Sequence, residues 1–168
     1  LEFRAEVSRV PSGDLVESVE ASGAIDDPRQ VINDLGQRIL GAIAASLDEE
    51  IELGSSLPPT YEAFQAYRRG HELYMAGDWT GALPHLIEAF RLDSTFLLAP
   101  TMEGRVYANT GQRAKLDSLL AWATERRSEL PPRERLVLEY GMALAEGDRE
   151  AAVQVQRSMF QMDPTSSA

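Results

Sequence analysis

GHELYMAGDWTGALPHLIEAF, residues 70–90, holds two apolar helical patterns separated only by Gly77-Asp78. A glycine at the end of a helix accepts the left-handed conformation that closes it, and the next residue caps the helix that follows. So short a connection folds the two helices back on each other, antiparallel. The same punctuation returns at Gly111-Gln112, 34 residues later, and at Gly147-Asp148, a further 36 on. Small residues recur in step with it. Gly70 and Gly104 lie seven residues before their turn glycines. Ala82 and Ala89 follow Gly77 by five and twelve, Ala123 follows Gly111 by twelve, and Ala152 follows Gly147 by five. These are points where two helices approach closely and a bulky side chain would separate them. A helix-turn-helix unit of about 34 residues, repeated about three times, accounts for the pattern.

On these residues the stretch from Tyr61 to Pro164 resembles three tetratricopeptide repeats, at about 61–96, 97–130 and 131–164, with a tail at 165–168. Asp163-Pro164 matches the usual ending of the repeat, whereas Asp93-Ser94 replaces that proline in the first copy. Leu116 stands where a small residue is usual, and Tyr140 occupies the place of Gly70 and Gly104. The resemblance implies a mainly α fold, an antiparallel helical-hairpin superhelix whose first helices line a concave groove for a peptide or partner segment.

Upstream, Leu1, Phe3, Ala5 and Val7 alternate with Glu2, Arg4 and Glu6, the period of a strand with one buried face. Pro11-Ser12-Gly13-Asp14 supplies a turn, and Leu15 to Ala21 forms a second strand. A lone hairpin is marginal in water, so this one belongs to a larger sheet or pairs with a neighbour or another copy. Asp26-Asp27-Pro28 then opens a helix, and Val31, Leu35, Ile39, Leu40, Ile43 and Ala44 mark its apolar face as far as Ser46. Residues 1–47 therefore read as a β-hairpin plus one amphipathic helix. Residues 48–60, with Gly54-Ser55-Ser56 and Pro58-Pro59, read as a linker. This upstream part resembles the last hairpin and helix of a FlgO or TolB amino-terminal type module. Such modules precede repeats in bacterial serine/threonine kinases and winged-helix regulators. The chain, which opens at Leu1 without methionine, reads as a fragment of such a signalling protein.

Composition narrows the function classes. Among 168 residues, 16 basic against 27 acidic side chains leave a net charge of -11. That disfavours nucleic acid and anionic membranes, which need clustered positive charge. The acidity is uneven: residues 1–60 carry 12 acids and 4 bases, and 61–168 carry 15 and 12. No apolar run reaches the ~18 residues of a membrane helix. With no cysteine, disulfides, thiolate chemistry and cysteine-bound zinc are excluded, and cytoplasm and periplasm both stay open.

No catalytic constellation is legible. His71 and His85 have no histidine four residues away, so the helical zinc motif is missing. Asp48-Glu49-Glu50 lacks the alternating ligands and turn glycine of a calcium loop. No metal or cofactor is expected, and the chain reads as non-catalytic. The expected partner is a protein or peptide, held by side chains that hairpin packing does not claim. These are Tyr67, His71, Tyr74 and Met75 in the first repeat and Thr101, Arg105 and Asn109 in the second, with Phe64 assigned to the core. Tyr67 and His71 stand where the opening residues of a carboxylate clamp would be, which argues against a chaperone-tail partner. Two other readings stay open. One is self-association, with Leu1–Ala21 completing a sheet across two chains; the other is a small-molecule pocket between the linker and Tyr67.

Overall fold

Gly77, Gly111 and Gly147 all take the left-handed conformation, with φ of 82°, 69° and 77°. Each sits in the same hydrogen-bonded turn. The Gly77 amide donates to the Tyr74 carbonyl and the Asp78 amide reaches back to that of Leu73, at 3.0 and 2.9 Å. Gly111 and Gln112 repeat this with Ala108 and Tyr107, and Gly147 and Asp148 with Leu144 and Ala143. Two carbonyls left over at the helix end are thereby satisfied each time. The next helix is capped at once in two cases: Asp78 Oδ1 accepts from the Gly81 amide at 2.9 Å, and Asp148 Oδ1 from that of Ala151 at 3.0 Å. Gln112 makes no such side-chain cap.

The computed structural model describes residues 1–8, 10, 12–13, 15–48, 58–128, 130 and 132–162. Along these the chain forms β1 (Glu2–Ser8), β2 (Leu15–Ser22), α1 (Pro28–Ser46), α2 (Tyr61–Met75), α3 (Trp79–Leu92), α4 (Leu98–Asn109), α5 (Arg113–Glu125), α6 (Pro132–Glu146) and α7 (Arg149–Met162). The protein is thus mainly helical behind an antiparallel β-hairpin, as its periodicities predict. Pro11, Asp14, most of the expected linker (residues 49–57) and the Asp163-Pro164 ending lie outside the described residues. Two compact units emerge, Leu1–Ala99 and Pro100–Ala168.

In the first unit β1 and β2 pair antiparallel from Glu2 opposite Ser22 to Val7 opposite Glu17, with an irregularity before Ser8 meets Leu15. Gly13, at φ 79°, lies in the turn between them. Helix α1 packs on both strands and on α2. It starts where Asp27 Oδ1 accepts from the Gln30 amide, with Pro28 in the first turn. Helices α2 and α3 form a hairpin around Ala63, Ala82, Leu86 and Ala89, all 0% exposed. A Cβ on Gly70 would stand 2.8 Å from Leu86 Cγ, so glycine there lets the Leu86 side chain lie against the α2 backbone. In the second unit a Cβ on Gly104 would meet Leu119 at an ordinary 3.4 Å. The expectation that both glycines are sterically required therefore holds for Gly70 alone. Near Tyr140 the tight position falls on its neighbour Gly141, whose Cβ would lie 3.1 Å from Leu120.

The expected boundary at 48–60 does not separate two bodies, because the first helical hairpin belongs to one unit with the β-hairpin and α1. The reason lies in a polar clasp. The Asp93 side chain, 3% exposed, follows α3 and faces Arg38 of α1. One carboxylate oxygen accepts from Arg38 Nη1 at 3.3 Å and from the Thr60 amide at 3.0 Å. The other accepts from the Thr95 amide and hydroxyl at 3.0 and 2.6 Å. Arg38 also donates to the Pro58 carbonyl at 3.0 Å and to Asp34 at 3.1 Å. One buried carboxylate joins α1, the entry to α2 and the exit of α3.

Candidate functional site

The side chains expected to meet a partner lie on α2 in the first unit and on α4 in the second. On α2 the spacing of Tyr67, His71, Tyr74 and Met75 puts them on one helical face. They differ sharply in depth. Tyr67 is 4% exposed, its ring edge-on to Phe96 at 5.0 Å between centroids and stacked on His71 at 6.1 Å. An edge-to-face aromatic pair in a core stabilises packing beyond area burial alone. Tyr67 is accordingly corrected from a surface anchor to a core residue, alongside Phe64, which is 2% exposed as expected. The sequence hides this because Phe96 comes 29 positions after Tyr67 (96 minus 67), in the connection beyond α3. His71 and Tyr74 are half-buried, and Met75 is 67% exposed. Trp79, at the first position of α3, is 37% exposed and adds an amphipathic ring that the sequence reading did not include. With Tyr67 sealed by Phe96, the alternative pocket beside Tyr67 loses one of its walls. Its other wall, residues 49–57, is outside the described residues.

On α4, Thr101 is half-buried and Arg105 and Asn109 are exposed. Their four-residue spacing aligns them in a row of hydrogen-bonding groups. Buried on the same helix is a carboxylate that composition gave no reason to single out. Glu103 is 8% exposed and shares a hydrogen bond with the Tyr107 phenol. Burial pushes its carboxyl up to about 7, partly offset by that bond. The phenol is raised in turn by its own burial, then by the charge of Glu103 and the bond between them. Lys115 Nζ stands 5.5 Å over the Tyr107 ring.

A proton held by folded Glu103 up to pH of about 7, and released by the unfolded chain near the ordinary 4.5, ties stability to pH. Its contribution is fully present below about 4.5 and is lost as pH rises through about 7, by about 1–3 kcal/mol in all. Glu103→Gln, which stays neutral, is expected to remove this slope. Urea midpoints at pH 5 and pH 8 test it: the native-minus-variant difference should fall at the higher pH. An unchanged difference would contradict the protonated assignment.

An open cleft of about 910 Å³ lies in the second unit, between the end of α5, the start of α6 and the end of α7. Arg127 and Glu139 form an ion pair there, with Arg135, Leu136, Ser158 and Gln161 around them. Its charges are mixed and it includes none of the sequence-predicted residues. Among the described residues no three His, Asp or Glu side chains converge as metal ligands, and no helix is long and apolar enough to cross a membrane. No protein-family model matches the chain, and neither does any curated protein or solved structure.

Proposed function

We propose that the chain is a non-catalytic docking fragment built from tetratricopeptide-type hairpins, part of a larger bacterial signalling or regulatory protein. Its partner is a peptide or a protein segment taken on the first helices of the repeats. The observation that carries the reading is the row Thr101, Arg105, Asn109 on α4, graded from half-buried to exposed. Its guanidinium, amide and hydroxyl suit the carboxylates and backbone carbonyls of an extended segment. In the first unit His71, Tyr74 and Met75, with Trp79 beside the turn, supply the aromatic and thioether surface that interface anchors use. The three matching glycine turns support the repeat reading itself.

Selection of peptides from a displayed library against the chain provides the test. Binders are expected to lose about tenfold in affinity on Tyr74→Ala or Arg105→Ala, the scale of one interface anchor. Binders indifferent to both, in variants with unchanged circular dichroism, would reject the docking face. Tyr67→Ala is unsuitable here because it opens the core.

A further inference from the structure

Helix α1 is apolar on more of its circumference than its neighbours cover. Gly41 and Arg38 turn toward Pro59 and Pro58, and Val31 meets the end of β2 at Gly23. At 3.6 residues per turn, Ile32, Ile43, Gly36, Leu47 and Leu40 lie about 100° to 180° from Val31, on the side opposite Gly41. The four large ones are 53%, 39%, 78% and 49% exposed, and a Cβ on Gly36 would meet nothing within 4 Å. An apolar arc this wide exceeds what one packed neighbour covers, and exposed aliphatic surface of this kind ordinarily marks a contact.

The hairpin is open in the same sense. Val19 and Ala21 of β2 are 1% and 5% exposed, while Phe3, Ala5 and Val7 of β1, on the same face, are only half-buried. Leu1 exchanges both backbone bonds with Gly23, at 2.9 and 3.0 Å. By alternation Phe3, Ala5 and Val7 also turn their backbone groups to β2. Glu2, Arg4, Glu6 and Ser8 present theirs at the outer edge, which pairs with no other strand among the described residues.

We propose that two copies of this chain associate through β1, edge to edge and antiparallel, with their α1 stripes side by side on one face of the four-stranded sheet. Charge and overlap together select the register, because pairing Arg4 with the partner's Glu2 would also match charges but would leave Glu6 and Val7 with no strand opposite them. Only even-numbered residues can pair at that edge. Placing Arg4 opposite Arg4, or Glu6 opposite Glu6, sets like charges against each other. The register between these puts Arg4 opposite the partner's Glu6 twice and Phe3 opposite the partner's Val7 twice, with the two-fold axis through Ala5. Arg4 then sits between that glutamate and Glu20 of its own β2, with which it already pairs at 3.6 Å. Spacing agrees as well. A helix seated over both strands of each hairpin recurs after two strand separations, about 9.6 Å, and packed helices lie about 8–10 Å apart. Gly36, in the middle of the stripe, permits that approach. The association uses none of the residues assigned to the docking face, so the two readings fail separately.

Sedimentation and light scattering on the chain, over a dilution series, test this directly. A dimer is expected, weakened about tenfold by Arg4→Glu and equally by Glu6→Arg, and restored when the two are combined. Because Glu20 faces the same substituted side chain in the Arg4→Glu variant and in the double variant, the rescue reports the contact between copies. Leu40→Asp, at a site exposed in each copy, should also dissociate it while leaving the circular dichroism of the monomer unchanged. A monomer at every concentration overturns the proposal. So does a dimer that the charge swap fails to rescue, or one indifferent to Leu40→Asp.

Discussion

Replacing Asp93 by alanine is expected to destabilise the first unit by about 3 kcal/mol, because a buried ion pair is broken with one partner left in place. The loss has three parts. Arg38, 15% exposed in its side chain, keeps Asp34 and the Pro58 carbonyl but loses its buried counter-charge. The Thr60 amide, at the start of α2, loses its acceptor, and so do the Thr95 amide and hydroxyl. Buried donors without acceptors cost about 1–3 kcal/mol each, moderated where water reaches them. Asp93→Asn keeps the volume and at least one acceptor, and should cost about half as much by the same reckoning. Urea unfolding of the native chain and both variants measures the order. For a body of this size the alanine variant should melt about 12–20 °C lower. A loss below about 1 kcal/mol for Asp93→Ala would show that the clasp is replaceable by water.

The second large effect is expected at Gly41. A Cβ there would collide with the Pro59 carbonyl oxygen and stand 3.1 Å from its carbon. Both atoms are backbone, so no side chain can rotate away. Either α1 lifts from Pro58–Thr60 or the Pro59 peptide turns, and in both cases Arg38 loses its reach to Pro58 and Asp93. Alanine is worth about 1 kcal/mol more than glycine in a helix interior, which works against the clash. The net expectation for Gly41→Ala is a loss of about 2–3 kcal/mol, at the upper end of overpacking. Gly36→Ala provides the matched comparison: same helix and open space, with an expected gain of about 0.5–1 kcal/mol in dilute solution. If the two variants behaved alike in urea, the close approach at Pro59 would not exist.

These two positions show what a linear reading reaches and what it misses. The helix at Pro28–Ser46 and the strands were legible because period and capping are local: Asp27 caps three residues ahead, and alternation decides which strand face is apolar. The turn glycines were legible for the same reason. Asp93 appeared only as the residue before Ser94, which stands where the repeat's proline ending would be, yet it accepts from Arg38, 55 residues before it. Likewise the joint at Pro58-Pro59 read as part of a linker, since prolines punctuate chains. In the fold both prolines are buried against α1.

The candidate site divides along the same line. Helical spacing alone placed Tyr67, His71, Tyr74 and Met75 on one face, and Thr101, Arg105 and Asn109 in one row. It could not rank them by depth. Tyr67 lies inside, its ring edge-on to Phe96, and Met75 is 67% exposed. Glu103 was one of many acids in the sequence, and only the burial of that face of α4 makes it a proton-holding group. By itself the sequence determined the elements, their caps, their turns and the spacing that repeats them, since each depends on residues within about a helical turn of one another. Tertiary structure decided which side chains are core and which are surface, and which carboxylate is clasped and which protonated, because burial depends on atoms brought together from distant parts of the chain.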